Sequence, residues 1–103
     1  MMDSIKEITS AELQEMLDQD KKISLIDVRE EEEVANGMIE GAQHIPLREI
    51  PEAIESLDKE AEYVLICHSG MRSMNAALFM KEEGFNVLNL EGGMMKWDGE
   101  LVF

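Results

Sequence analysis

Five consecutive residues, Tyr63-Val64-Leu65-Ile66-Cys67, form an unbroken apolar stretch, a length that only Ala76–Met80 matches. A strand on a half-exposed sheet alternates apolar and polar positions, so an unbroken run demands cover on both faces. That is the setting of a central strand in a parallel sheet with helices on either side. A helical pattern follows at Ser73–Glu83, where Ala76, Ala77, Leu78 and Met80 are available for packing and Gly84 ends it. One strand–loop–helix unit is therefore fixed before anything else is read.

The rest of the chain repeats the alternation. Thr9-x-x-Glu12 has the form of a capping box, and Leu13, Met16 and Leu17 then fall on one face of a first helix. Lys22–Val28 reads as a short buried strand and Glu30–Asn36 as a short helix. Gln43–Ile45 is a very short strand halted by Pro46, which has no N–H for a ladder. Glu52–Leu57 is helical, with Pro51 suited to its first turn. Val87–Leu90 is a further strand, and Gly92-Gly93 turns into a last helix carrying Met94 and Trp97. The expectation is a small α/β domain with a mostly parallel central sheet flanked by helices on both faces. At 103 residues, with no linker or repeat, a single domain over residues 1–103 is the expectation.

Charge and cysteine content narrow the functions. Nine Lys and Arg against 23 Asp and Glu give 9 − 23 = −14, which repels phosphate backbones and anionic lipid, so nucleic-acid and membrane partners are disfavoured. No apolar run approaches the ~18–20 residues of a membrane span. The start, Met1-Met2-Asp3-Ser4-Ile5-Lys6, lacks the basic and apolar regions of a signal peptide, and a cytoplasmic protein is expected. Cys67 is the only cysteine, which excludes an intramolecular disulfide and any multi-cysteine metal site. His44 and His68 have no His or Cys at an i+3 or i+4 spacing, so no metal or other cofactor is implied.

Cys67 stands at the carboxyl end of the central strand, before His68-Ser69-Gly70-Met71-Arg72-Ser73. In open α/β sheets ligands bind at such crossovers. A tight loop there turns backbone N–H groups inward, and the following helix adds about half a positive charge at its N-terminus. Both favour a thiolate, the nucleophilic form of cysteine. Gly70 supplies a position that tolerates positive φ, and Arg72 a fixed cation for an incoming anion. Without that loop, a solitary cysteine after an apolar strand would read as inert core.

Four stretches, in order, resemble the rhodanese-like domains, sulfurtransferases that carry sulfur as a cysteine persulfide. They are Leu25-Ile26-Asp27-Val28-Arg29-Glu30, the segment from Gly37 to Pro46, Cys67-His68-Ser69-Gly70-Met71-Arg72-Ser73, and Leu90-Glu91-Gly92-Gly93-Met94-Met95-Lys96-Trp97. The resemblance implies that Cys67 is catalytic, takes a sulfane sulfur from thiosulfate, polysulfide or a protein persulfide, and passes it to a thiophilic acceptor. His68, Ser69, Gly70, Met71, Arg72 and Ser73 would bind substrate, their amides holding the terminal sulfur's charge. Asp27 and Arg29 would stand just behind them. Implied partners are a small anionic sulfur donor and a sulfur-carrier or cysteine-desulfurase protein.

The chain departs from the family at three places, one being that His68 and Ser69 follow the cysteine where the two-domain thiosulfate enzymes hold basic residues. Met38 replaces a common His, and Glu33 stands where the two-domain thiosulfate enzymes carry a substrate-binding Arg. That points to a protein persulfide as donor, with Met71 in the docking surface.

Plainer roles compete with these. His68 also reads as a solvent-facing loop residue, and Arg72 as the partner of a carboxylate such as Glu40 or Glu91. Ser73 reads as a first-turn hydrogen-bonding residue of the helix. Asp27 and Arg29 read as a buried pair holding loops, and His44 as structural. Two rival functions remain: a non-catalytic interaction module, and a cysteine phosphatase or arsenate reductase. The latter enzymes use Cys-x5-Arg, whereas Cys67 and Arg72 are spaced Cys-x4-Arg, a shorter loop better matched to one sulfur atom than to a phosphate.

Overall fold

The computed structural model describes residues 4–103; residues 1–3, where the reading against a signal peptide begins, lie outside them. The elements are β1 (Glu7–Ile8), α1 (Ser10–Asp18), β2 (Ser24–Asp27), α2 (Glu31–Val34), β3 (Ala42–His44), α3 (Ile50–Ala53), β4 (Glu62–Ile66), α4 (Met71–Glu82) and β5 (Asn86–Leu90). Short 3-10 turns precede and follow α3, and a third, Gly93–Met95, follows β5. The five strands form one sheet in the order β1-β5-β4-β2-β3, and every pairing is parallel. The α/β fold with a parallel sheet and helices on both faces is as the residue pattern predicts.

β4 is central and alternates its side chains between two cores. Tyr63, Leu65 and Cys67 point toward Ile50, Ile54, Ala76, Ala77 and Met80 of the α3–α4 layer. Val64 and Ile66 point toward Leu13, with Met16, Leu17, Met94 and Trp97 closing that side. Each face of the apolar run thus meets a helix layer. The capping box of α1 forms as expected: the Glu12 N–H donates to Thr9 Oγ1 at 3.1 Å, and the Thr9 N–H donates to Glu12 Oε1 at 2.8 Å.

Three elements differ from expectation, and the bounds of the others shift by one or two residues. β1 was not anticipated, because two residues are too few to show a period; Ile8 earns its place by pairing with Leu90. The helix expected from Glu52 starts at Ile50 and tightens to a 3-10 turn after Ala53. The last helix is a single 3-10 turn. The N–H groups of Met94 and Met95 donate to the carbonyls of Cys67 (2.8 Å) and His68 (2.9 Å), which ties the turn to the neighbouring loop. No helix among the described residues is long and apolar enough to cross a membrane.

Candidate active site

The connection leaving β2 runs to β3 on one side of the sheet order, and that leaving β4 runs to β5 on the other. A crevice therefore opens between the carboxyl ends of β2 and β4, the usual ligand position in such sheets. Asp27 and Ile66 are register partners at that end, which sets Asp27, Val28 and Arg29 beside Cys67.

Cys67 is fully buried, on the floor of the loop that leads into α4. Gly70 takes φ +103°, in the left-handed region that a side chain would resist, and its N–H turns back to donate to Cys67 Sγ at 3.0 Å. The Ser73 hydroxyl, itself buried, donates to the same sulfur at 3.2 Å. Burial raises the energy of a thiolate here. The Ser73 hydroxyl and the amides of Ser73, Gly70 and Ser69 outweigh it, and the thiol pKa falls below its ordinary value. The sulfur lies in an apolar core, yet its near neighbours are donors. Ser73 is therefore more than a first-turn helix residue: its side chain is engaged by the sulfur.

Arg72 lies within electrostatic reach of Cys67, but its guanidinium makes a bidentate pair with Glu33, both bonds 2.7 Å. The carboxylate partner is neither Glu40 nor Glu91; α2 brings Glu33 across the crevice, a contact that 39 residues of sequence separation conceal. The pair holds the Glu33 carboxyl down to about 2, chiefly through the Arg72 hydrogen bonds. Behind it, Arg29 grips Asp27 through Nε and Nη2 at 2.8–3.1 Å and donates to the carbonyls of Gly37 (2.8 Å) and Glu33 (3.3 Å). This buried pair ties β2 to the end of α2 and does not touch the sulfur. His44 donates from Nε2 to the Arg29 carbonyl at 2.7 Å, a tautomer the acceptor dictates, and so has a bracing role.

His68, Ser69 and Met71 are exposed, and Met71 (76%) and Met95 (66%) present apolar side chains on the two segments that frame the loop. A cleft of about 400 Å³ lies alongside, with His68, Met94, Trp97, Arg29 and Glu33 in its walls.

One contributor escaped the sequence reading. Asn89, fully buried on β5, donates from Nδ2 to the Gly70 carbonyl at 3.1 Å and to Glu7 Oε2 at 3.0 Å, leaving its Oδ1 without a partner. It anchors the carbonyl of the residue whose own N–H caps the sulfur. The signal was available: an amide side chain in an otherwise apolar run, Val87-Leu88-Asn89-Leu90, is costly unless something buried needs it.

A lone cysteine, ringed by donors at the switch point of a parallel sheet, defines a class of α/β proteins that carry a thiol on a strand-to-helix loop. Within that class, the Rhodanese-like domain profile matches residues 9–100, and the chain belongs to that family. It is 57% identical over 96 residues to "Putative sulfurtransferase YtwF" of Bacillus subtilis, covering 93% of each chain. It is 31% identical over 97 residues to "Thiosulfate sulfurtransferase GlpE" of Shewanella oneidensis, covering 93% of this chain and 95% of that one. Among solved structures, a rhodanese-like domain protein from Staphylococcus aureus superposes with a TM-score of 0.90 at 36% identity, over 96% of this chain and 98% of the other.

Proposed function

We propose that the protein is a rhodanese-type sulfurtransferase whose sulfur travels on Cys67. The observation that carries this reading is the convergence of the Gly70 N–H and the Ser73 hydroxyl on Sγ, at 3.0 and 3.2 Å. Donors so placed favour an anionic sulfur at rest, and the amides of the same loop are suited to the terminal sulfur once it is acquired.

In the first step the Cys67 thiolate attacks the terminal sulfur of a donor. A Cys67 S–S bond forms, the donor's S–S bond breaks, and its electron pair departs on the leaving group, sulfite from thiosulfate or a thiolate from a persulfide. In the second step an acceptor thiolate or cyanide attacks the outer sulfur and Cys67 leaves as thiolate. Sulfur moves at the sulfane level, and no oxidant or reductant is consumed. Because Cys67 lies on the floor of its loop, the incoming sulfur must be terminal and narrow.

His68, Ser69, Gly70, Met71 and Ser73 line this path, and Arg72 borders it. A sulfur-carrier or cysteine-desulfurase protein suits the site as partner: Met71 and Met95 offer an apolar contact for a protein that presents a persulfide. Asp27 and Arg29 act at one remove by holding the β2 end in register.

Intact mass measured after incubation with thiosulfate or polysulfide tests the reading. The expected result is a gain of one sulfur atom, reversed by cyanide or a reductant and absent in Cys67→Ala. No gain from any sulfane donor, combined with tight binding of a partner protein, would make the domain a non-catalytic module. Turnover of an aryl phosphate would instead favour phosphatase chemistry.

A further inference from the structure

The site of a thiol nucleophile that accepts sulfur from a small dianion should offer that dianion a free cation. Two guanidiniums adjoin the crevice, and both are engaged. Arg29 is held by Asp27, with 2.8 Å between Nη2 and Oδ2, and the pair is buried. Arg72 is held by Glu33 through two bonds of 2.7 Å. Of the two charged side chains in the cleft walls beside His68, one is Glu33 itself and the other is the neutralised Arg29. The donors that remain, the Ser73 hydroxyl and the amides of Ser73, Gly70 and Ser69, face Sγ. Around this stands a chain of net charge −14. A donor with two negative charges therefore meets repulsion without a local counter-charge, whereas a persulfide of at most one charge meets much less.

From this arrangement we propose that Glu33 sets donor specificity: by holding the Arg72 guanidinium it disfavours small dianionic donors such as thiosulfate and selects persulfide donors of low charge. The proposal rests on the sulfurtransferase reading above. It names the substrate class of that same site and gives Arg72 the role of a cation held in check.

The test compares two donors with cyanide as common acceptor, thiosulfate and the uncharged-tail donor 2-hydroxyethyl persulfide. The quantity read is the ratio of kcat/KM for thiosulfate to kcat/KM for the persulfide. A ratio is independent of the active fraction, so partial misfolding of a variant does not blur it. Glu33→Gln should raise the ratio about tenfold or more, because one partly screened charge pair at contact is replaced by a free cation. The double variant Glu33→Gln with Arg72→Gln should return the ratio to within about threefold of wild type, as the freed guanidinium is then gone. A ratio in Glu33→Gln within twofold of wild type overturns the proposal, and so does a raised ratio that persists in the double variant. If wild type takes sulfur from neither donor by intact mass, the sulfurtransferase reading fails and the specificity proposal with it. Transfer in wild type with an unmoved ratio sinks the proposal alone.

Discussion

The α-carbon of Gly93 sits against the carbonyl oxygen of Cys67, so close that a β-carbon there would overlap it and would lie 2.7 Å from the His68 carbonyl carbon. Gly93 also takes φ +55°. The next residue, Met94, donates its N–H to that same Cys67 carbonyl at 2.8 Å. The turn after β5 thus clamps the backbone that carries Cys67, and the clamp works only without a side chain.

Gly93→Ala should cost at least about 2 kcal/mol, since the new methyl group meets backbone on two sides and the left-handed conformation adds strain. Sulfur loading of Cys67 should fall along with stability. Urea unfolding and intact mass measure the two effects. A variant with unchanged unfolding midpoint would show that the turn can move away from the loop without loss.

Ser73→Ala removes the largest of the influences that lower the Cys67 thiol pKa, the Ser73 hydroxyl bond, while burial continues to push it up. The pH profile of alkylation by iodoacetamide should have its midpoint below that of a free cysteine in wild type and above the wild-type midpoint in the variant. The sign for stability follows. A thiol pKa lowered by folding stabilises the fold above the free-cysteine pKa, and that gain is lost as pH falls through the folded value. The stability difference between wild type and Ser73→Ala should therefore widen at alkaline pH. Coincident alkylation profiles would remove the role assigned to the hydroxyl.

Asn89→Leu takes away the side chain that holds the Gly70 carbonyl and also an unpartnered buried oxygen. These oppose each other in stability, so the net change should stay within about 1 kcal/mol. The Gly70 carbonyl still accepts from the Met74 N–H at 3.2 Å, which keeps the helix start. What changes is the aim of the Gly70 amide at the sulfur. The alkylation midpoint should rise and sulfur transfer should drop several-fold. A large loss of stability with an unmoved midpoint would make Asn89 a packing residue only.

The Glu33 carboxyl titrates near 2 in the folded protein against an ordinary 4.5, chiefly because Arg72 donates to it. A carboxyl depressed on folding stabilises above its unfolded pKa, and the contribution disappears as pH falls from about 4.5 toward 2. Both side chains keep roughly a third of their exposure, 36% for Arg72 and 30% for Glu33, so solvent screening reduces the pair to on the order of 1 kcal/mol. Wild type and Glu33→Gln should differ in thermal midpoint at pH 6 and converge near pH 2.5. A gap of constant size across that range would mean the pair contributes through packing instead of charge.

Much of this protein is determined locally. The unbroken apolar run from Tyr63 to Cys67 requires cover on both faces, and so dictates a central strand between two helix layers. Thr9 and Glu12 cap α1 by a contact three residues long. Gly70 permits the left-handed turn that brings an amide back to the sulfur. All these depend on neighbours within a few residues, where sequence and geometry are tightly coupled. The tertiary structure decided what lies across the crevice. Glu33, not Glu40 or Glu91, takes Arg72, and Asn89 reaches the Gly70 carbonyl from another strand. The expected last helix shortens to one turn because Met94 and Met95 bond to a loop 27 residues earlier. Such partners are chosen by how the strands are ordered in the sheet, and a carboxylate-rich chain offers Arg72 many candidates that only packing can tell apart.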